Sequence, residues 1–169
     1  MKFSYVMGLL LVCGILGLTS CSSDSIEDVT TLTPKETFED IAFTYTAFER
    51  AVLREVNNVR IENNLSILKI VNTISQKAYE HNQHMLGMDE ICHHNFNDRS
   101  SDIKSTFDAV GIGENIAYGN ATAQEVVQAW MDSEEHRNNI MHEAYTHFGI
   151  SIVAEDEDTH YYTNIFAIK

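Results

Sequence analysis

The chain is short of positive charge. Its 169 residues carry 11 Lys and Arg against 25 Asp and Glu, a formal net charge of −14. Phosphate backbones are gripped by clustered Lys and Arg, so nucleic acid is excluded as a partner. The acidity suits an exported domain that must stay soluble. Cysteine is scarce too, at three residues. Cys13 and Cys21 lie in the N-terminal segment, which leaves Cys92 alone beyond it. That excludes an intrachain disulfide in a mature domain, and a chain of this length buries enough surface without one. Cys92 reads as a small, buried or half-buried residue rather than a nucleophile. Neither His-Glu-x-x-His nor Gly-x-Ser-x-Gly occurs, so the zincin and nucleophile-elbow signatures are missing. There are no internal repeats.

The longest apolar run, Val6 to Leu18, is too short to span a bilayer comfortably. With Met1-Lys2 before it and Leu18-Thr19-Ser20-Cys21 after it, the layout is that of a signal peptide. Leu-x-small-Cys is the ending of a bacterial lipoprotein signal. On that reading residues 1–20 are removed and Cys21 is acylated; the alternative is an ordinary secretory signal that contains a cysteine. Ser22 to Thr31 is polar and acidic, and residues 21–33 read as a flexible tether. The domain is expected over 34–169, opening with a helical extension.

Thr33-Pro34-Lys35-Glu36 is a capping box with the only proline at the first helical position. Ile41, Tyr45, Phe48, Val52, Val56 and Val59 follow at spacings of three and four. This predicts a long helix with a break near Thr44–Ala47. A second helix is predicted from Ile67 to Met85, stopped by Gly87, with His81 on its apolar stripe as a satisfied core histidine. His84 and His94 read as surface residues. Ser101 to Val110 predicts a short helix and Gly113 to Gly119 an extended segment. Thr122-Ala-Gln-Glu125 opens a helix, and Ser133 is expected to cap another through Met141. Phe148 to Ala154 and Tyr161 to Ile168 alternate as strands around the acidic turn Glu155-Asp-Glu-Asp-Thr159. A calcium site in that turn lacks the glycine and spacing of an EF-hand loop, so a solvated turn is preferred. Helices first and strands last imply an α+β domain, with helices packed on a small antiparallel sheet.

The segment from Gly113 to Arg137 carries the chemistry. Glu114 stands among small and apolar residues, and His136 opens a helix just after one bearing Trp130. With His93 these residues are the candidates for a polar site. Two imidazoles and a carboxylate hold zinc with an open fourth position, which activates water. Without metal, a carboxylate beside a histidine sets its tautomer for general-base work. The bland alternative is that Glu114 accepts backbone hydrogen bonds and His136 caps its own helix. Arg99 and Arg137 are expected to pair with carboxylates, and Arg137 to lower the basicity of His136 if close.

Several motifs in order resemble the CAP superfamily (cysteine-rich secretory proteins, antigen 5, pathogenesis-related proteins), in its bacterial branch. They are Val56-Asn57-Asn58-Val59-Arg60; His81-Asn82; His93 with Phe96 and Arg99; Gly113-Glu114-Asn115-Ile116; Trp130-Met131-x-Ser133-x-x-His136-Arg137-x-Asn139-Ile140; Tyr145-Thr146; and Tyr162-Thr163-Asn164-Ile165-Phe166. The resemblance implies an α-β-α sandwich. It also implies a cleft of two histidines and two acids that binds zinc or a similar divalent cation in some members. His93 and Glu114 match the first histidine and first acid. The second acid aligns with Ser133 and the second histidine with Ala144, so both are absent, and His136 takes their place as in the bacterial branch. Two functions are implied: a lipid-anchored extracytoplasmic module that binds a protein, peptide or lipid ligand, or a hydrolase of peptide or envelope material using His93, Glu114 and His136. The expected location is the bacterial cell envelope, at the outer membrane or cell surface, held through lipid on Cys21.

Overall fold

A computed structural model of the protein describes residues 40–119 and 121–169. The signal segment, Cys21, the tether and the Thr33–Glu36 box lie outside the described residues. In chain order the elements are helix α1 (Ala47–Glu62), strand β1 (Lys69–Ile70), helices α2 (Asn72–Met88) and α3 (Phe96–Phe107), strand β2 (Gly111–Gly119), helices α4 (Ala123–Asp132) and α5 (Glu134–Met141), and strands β3 (His147–Ala154) and β4 (His160–Ile168).

The expected break before α1 falls where the chain turns helical at Ala47. Thr46 Oγ1 accepts from the Glu49 amide at 3.1 Å, and the Glu49 carboxylate accepts from the Thr46 amide at 2.8 Å. This reciprocal cap satisfies donors that a helix start leaves open. The other Glu49 oxygen accepts from Ile152 N at 3.0 Å, so the same buried residue ties α1 to β3. Ile41, expected on the stripe, lies outside the helix and is exposed.

The second helix differs at both ends from the sequence expectation. It starts at Asn72, because Lys69 and Ile70 pair in parallel with His147 and Phe148 of β3. It runs through Gly87 to Met88 and stops at Asp89, which takes the left-handed conformation (φ 52°, ψ 42°). Glycine in a helix costs only about 1 kcal/mol, so it weakens that turn without ending it. α3 begins at Phe96, five residues before the expected start.

The sheet order is β1-β3-β4-β2. β3 and β4 form the expected hairpin, and β2 pairs antiparallel along the other side of β4. The turn between β3 and β4 is held locally, with Asp156 Oδ1 accepting from the amides of Asp158 and Thr159 at 2.8 Å. The parallel β1 makes the sheet mixed.

Side chains alternate across a strand, and β4 uses both faces. Tyr162 and Phe166 pack with Val52, Val56, Val127 and Trp130 of α1 and α4. Ile165 and Ala167 pack with Ile74, Ala78, Ile103 and Phe107 of α2 and α3. The result is an α-β-α sandwich. Gly149 sets its spacing: a Cβ there would collide with the Ser75 amide and with Ile74 C at 2.7 Å, so only glycine lets α2 lie this close to β3.

Arg60 locks the first layer. It is fully buried, and its guanidinium donates to the carbonyls of Ser66 (2.8 Å), Ile140 (2.7 Å), His142 (3.0 Å) and Tyr145 (3.3 Å). It thereby joins the end of α1 to the segment leaving α5, without a carboxylate.

Candidate functional site

β2 is an outer strand, so both helical layers can reach round its free edge. Glu114 and Ile165 are register partners, which puts Glu114 on the α2/α3 face. Asn115 points the other way, toward α5. Gly113 precedes them because the space is taken: a Cβ there would strike the Tyr145 hydroxyl and Asn139. The Gly-Glu-Asn triplet thus has a physical reason at each position.

Glu114 is 6% exposed. Arg99 from α3 grips it through two hydrogen bonds, Nε to Oε2 and Nη2 to Oε1, both 2.8 Å. His93 Nδ1 lies 2.8 Å from Oε1, and His81 Nε2 from α2 lies 3.8 Å from the same oxygen. Burial alone would raise the carboxyl's pKa. The hydrogen bonds from His93 and Arg99, with the Arg99 charge, outweigh it and hold Glu114 below its ordinary range. Glu114 is therefore ionised at neutral pH, and His93 Nδ1 carries the proton that it accepts. The neutral ring held in this way has its Nε2 lone pair free, on a side chain that is 48% exposed.

The other half of the site comes from α5. Asn115 Nδ2 donates to the His136 carbonyl at 3.0 Å, and Asn139 Nδ2 donates to Asn115 Oδ1 at 2.8 Å and to the Glu114 carbonyl at 3.2 Å. A cleft of about 340 Å³ is lined by His93, Phe96, Ile112, Gly113, Glu114 and Asn139. His136 is not among the residues that line it. Burial first, and then repulsion from the neighbouring His93 ring whenever that ring is protonated, lower the pKa of His136 from the ordinary 6.5.

Three expectations about single residues change here. Among the described residues Arg137 pairs with no carboxylate; its Nη1 donates to the Met131 carbonyl at 2.7 Å, and the lowered basicity of His136 has other causes. Ser133 occupies the N-cap position of α5, but its side chain makes no capping bond. His81 is buried as expected, yet only half satisfied. Its Nε2 donates to the Cys92 carbonyl at 2.7 Å, while its Nδ1 is buried with no partner among the described residues. Desolvation, partly offset by Glu114, pushes its pKa down to about 4. Asn139 and His81 belong to the motifs without being marked by them as site residues; the sequence signal for a histidine cluster is His81 and His84 at i and i+3, with His93 and His94 downstream.

Residues 53–166 match the family model described as CAP, the cysteine-rich secretory protein family. The chain belongs to this family. Within it, the uncharacterized protein YkwD of Bacillus subtilis is 37% identical over 115 residues, which is 63% of this chain and 43% of YkwD. An extracellular protein containing a SCP domain from Bacillus anthracis superposes with a TM-score of 0.63 at 22% identity, over 76% of this chain and 45% of that one. An outer surface protein from Borrelia burgdorferi gives a TM-score of 0.64 at 16% identity, over 78% and 99%. These structural likenesses are likenesses of fold. The match spans less than half the length of YkwD and of the B. anthracis protein. Among the described residues, no helix of this CAP-family chain is long and apolar enough to cross a membrane.

The cation expected at His93, Glu114 and His136 can be tested on the donor set. Both Glu114 oxygens are already engaged, and Arg99 brings a fixed positive charge to the same two atoms. A metal ion there would compete with a buried guanidinium, so the donors at Glu114 fit a cation poorly. They suit an oriented imidazole better.

Proposed function

We propose that this CAP-family protein is a lipid-anchored, extracytoplasmic binding module, not an enzyme, whose ligand docks in the cleft beside His93. The carrying observation is the Arg99–Glu114–His93 chain of hydrogen bonds. Arg99 neutralises Glu114, and Glu114 fixes the His93 ring so that Nε2 faces outward as an acceptor. Asn139 lines the same cleft. A ligand with a hydrogen-bond donor and a short apolar part, such as a peptide or protein segment, matches an imidazole acceptor set beside Phe96 and Ile112. Ser133 and Ala144 stand where relatives of the animal and plant branch carry a second acid and a second histidine, which further weakens a catalytic reading.

The hydrolase alternative rests on the same pair, since a carboxylate-held imidazole is the arrangement of a general base. Screening peptides and cell-wall fragments against wild type and Glu114→Ala separates the two. The binding reading expects no turnover in either protein, and NMR shifts around His93 with bound fragments that vanish in His93→Ala. Turnover in the wild type that is lost in Glu114→Ala would establish the hydrolase instead.

A further inference from the structure

A second cluster brings His84 against the Cys92-His93-His94 run. We infer that His84, Cys92 and His94 form a binding site for a thiophilic divalent metal ion, zinc by the chemistry of its donors. The site is independent of the ligand reading for the His93 cleft.

The ligand atoms of these three side chains lie within 4.8 Å of one another. Zinc bonds of about 2.0–2.3 Å place tetrahedral donors about 3.5 Å apart, so closure on an ion needs movement of about 1 Å. His94, which is exposed, can supply it. One thiolate and two imidazoles form a borderline-soft set that suits zinc and disfavours calcium or magnesium.

Two further observations point the same way. His84 Nε2 is buried and has no hydrogen-bond partner among the described residues. A buried imidazole nitrogen without a partner is costly, and a metal bond to His84 is a way of using its bonding capacity. The carbonyls of the other two residues are already held: His81 Nε2 donates to that of Cys92 at 2.7 Å, and Arg99 Nη1 to that of His94 at 3.0 Å. Metal sites depend on such groups behind the ligands to fix their positions. A cavity of about 280 Å³ adjoins His84 and His94, with Glu80, Asp98 and Asp102 on its wall against Lys77 and Arg99. It has room for a water as fourth ligand, and its acidic excess attracts a cation. Binding would release the Cys92 thiol proton to solvent. It would also clamp the residues on both sides of His93, fixing that imidazole against Glu114.

The test uses the mature lipidated protein in detergent, stripped with chelator and titrated with Co²⁺ alone. The expected result is a thiolate-to-cobalt charge-transfer band that saturates at one equivalent and is bleached by Zn²⁺. Cys92→Ser should abolish the band, and His94→Ala should weaken cobalt binding by at least about tenfold. His93→Ala and Glu114→Gln should leave the band in place, which separates this site from the cleft. Because Cys92→Ser could fail to fold, alkylation of wild-type Cys92 is followed as well, and zinc should slow it by about tenfold or more. No band in the wild type, a band that survives Cys92→Ser or is lost with His93→Ala, or alkylation indifferent to zinc would overturn the site.

Discussion

At the scale of single residues, the energetics centre on Glu114. A buried carboxylate is tolerable only while its partners remain. Glu114→Gln leaves the Arg99 guanidinium buried beside a neutral amide, and the expected cost is about 3 kcal/mol in urea unfolding. Adding Arg99→Met should cost less than the sum of the two single changes, because the groups are in direct contact. Additive losses would mean that the pair is not a unit. His81 sets a pH dependence. Its pKa is about 4 when folded against an ordinary 6.5, so between those values the unfolded chain binds a proton that the folded chain does not. Stability therefore falls as pH drops from about 6.5 to about 4, by about 3 kcal/mol. Glu114, held below its usual range, adds a further loss in the same direction at lower pH. Melting from pH 7 to pH 4 should show this slope, and His81→Gln should flatten most of it; an unchanged slope would remove His81 as the cause. The residues in this network were readable as types but not as neighbours. His81 lay on an apolar stripe, and nothing in its local pattern placed it 3.8 Å from a carboxylate 33 positions away.

At the scale of elements, local chemistry was legible wherever both partners lay within a turn. Thr122 and Glu125 form the box that their spacing implied, and the alternation of β3 and β4 marked their hairpin. Thr46-x-x-Glu49 is the same signal and explains the start of α1, but it was masked by an apolar stripe that continues back to Ile41. What could not be read was pairing across long separations. β1 is two residues long, too short to carry a period, and exists because β3 offers it an edge. Arg60 is the clearest instance: three of its four carbonyl partners lie 80 to 85 positions away. Four acceptors around one guanidinium cannot be matched by an ammonium with three donors. Arg60→Lys should cost about 3 kcal/mol, seen as a lowered urea midpoint with α5 amides exchanging first. A change below about 1 kcal/mol would mean that these bonds are redundant.

At the scale of the whole molecule, the described fold and the N-terminal segment make opposite demands on the membrane. The chain's net charge of −14 repels an anionic lipid surface, and no described helix is long and apolar enough to cross a membrane. On the anchor proposed above, retention at the envelope rests on lipid at Cys21 and not on the charge of the domain. One acyl chain holds a protein only marginally, whereas two or more hold it stably. Wild-type protein should therefore sediment with membranes and resist extraction by high salt, since salt screens charge and leaves burial of acyl chains intact. Cys21→Ser removes the acylated atom without touching the domain, and should move the protein into the soluble fraction with its melting temperature unchanged. If Cys21→Ser protein still sediments and is then released by salt, the domain itself binds the envelope and the lipid anchor is wrong. If it sediments and resists salt, the uncleaved segment Val6–Leu18 is holding the protein in its place.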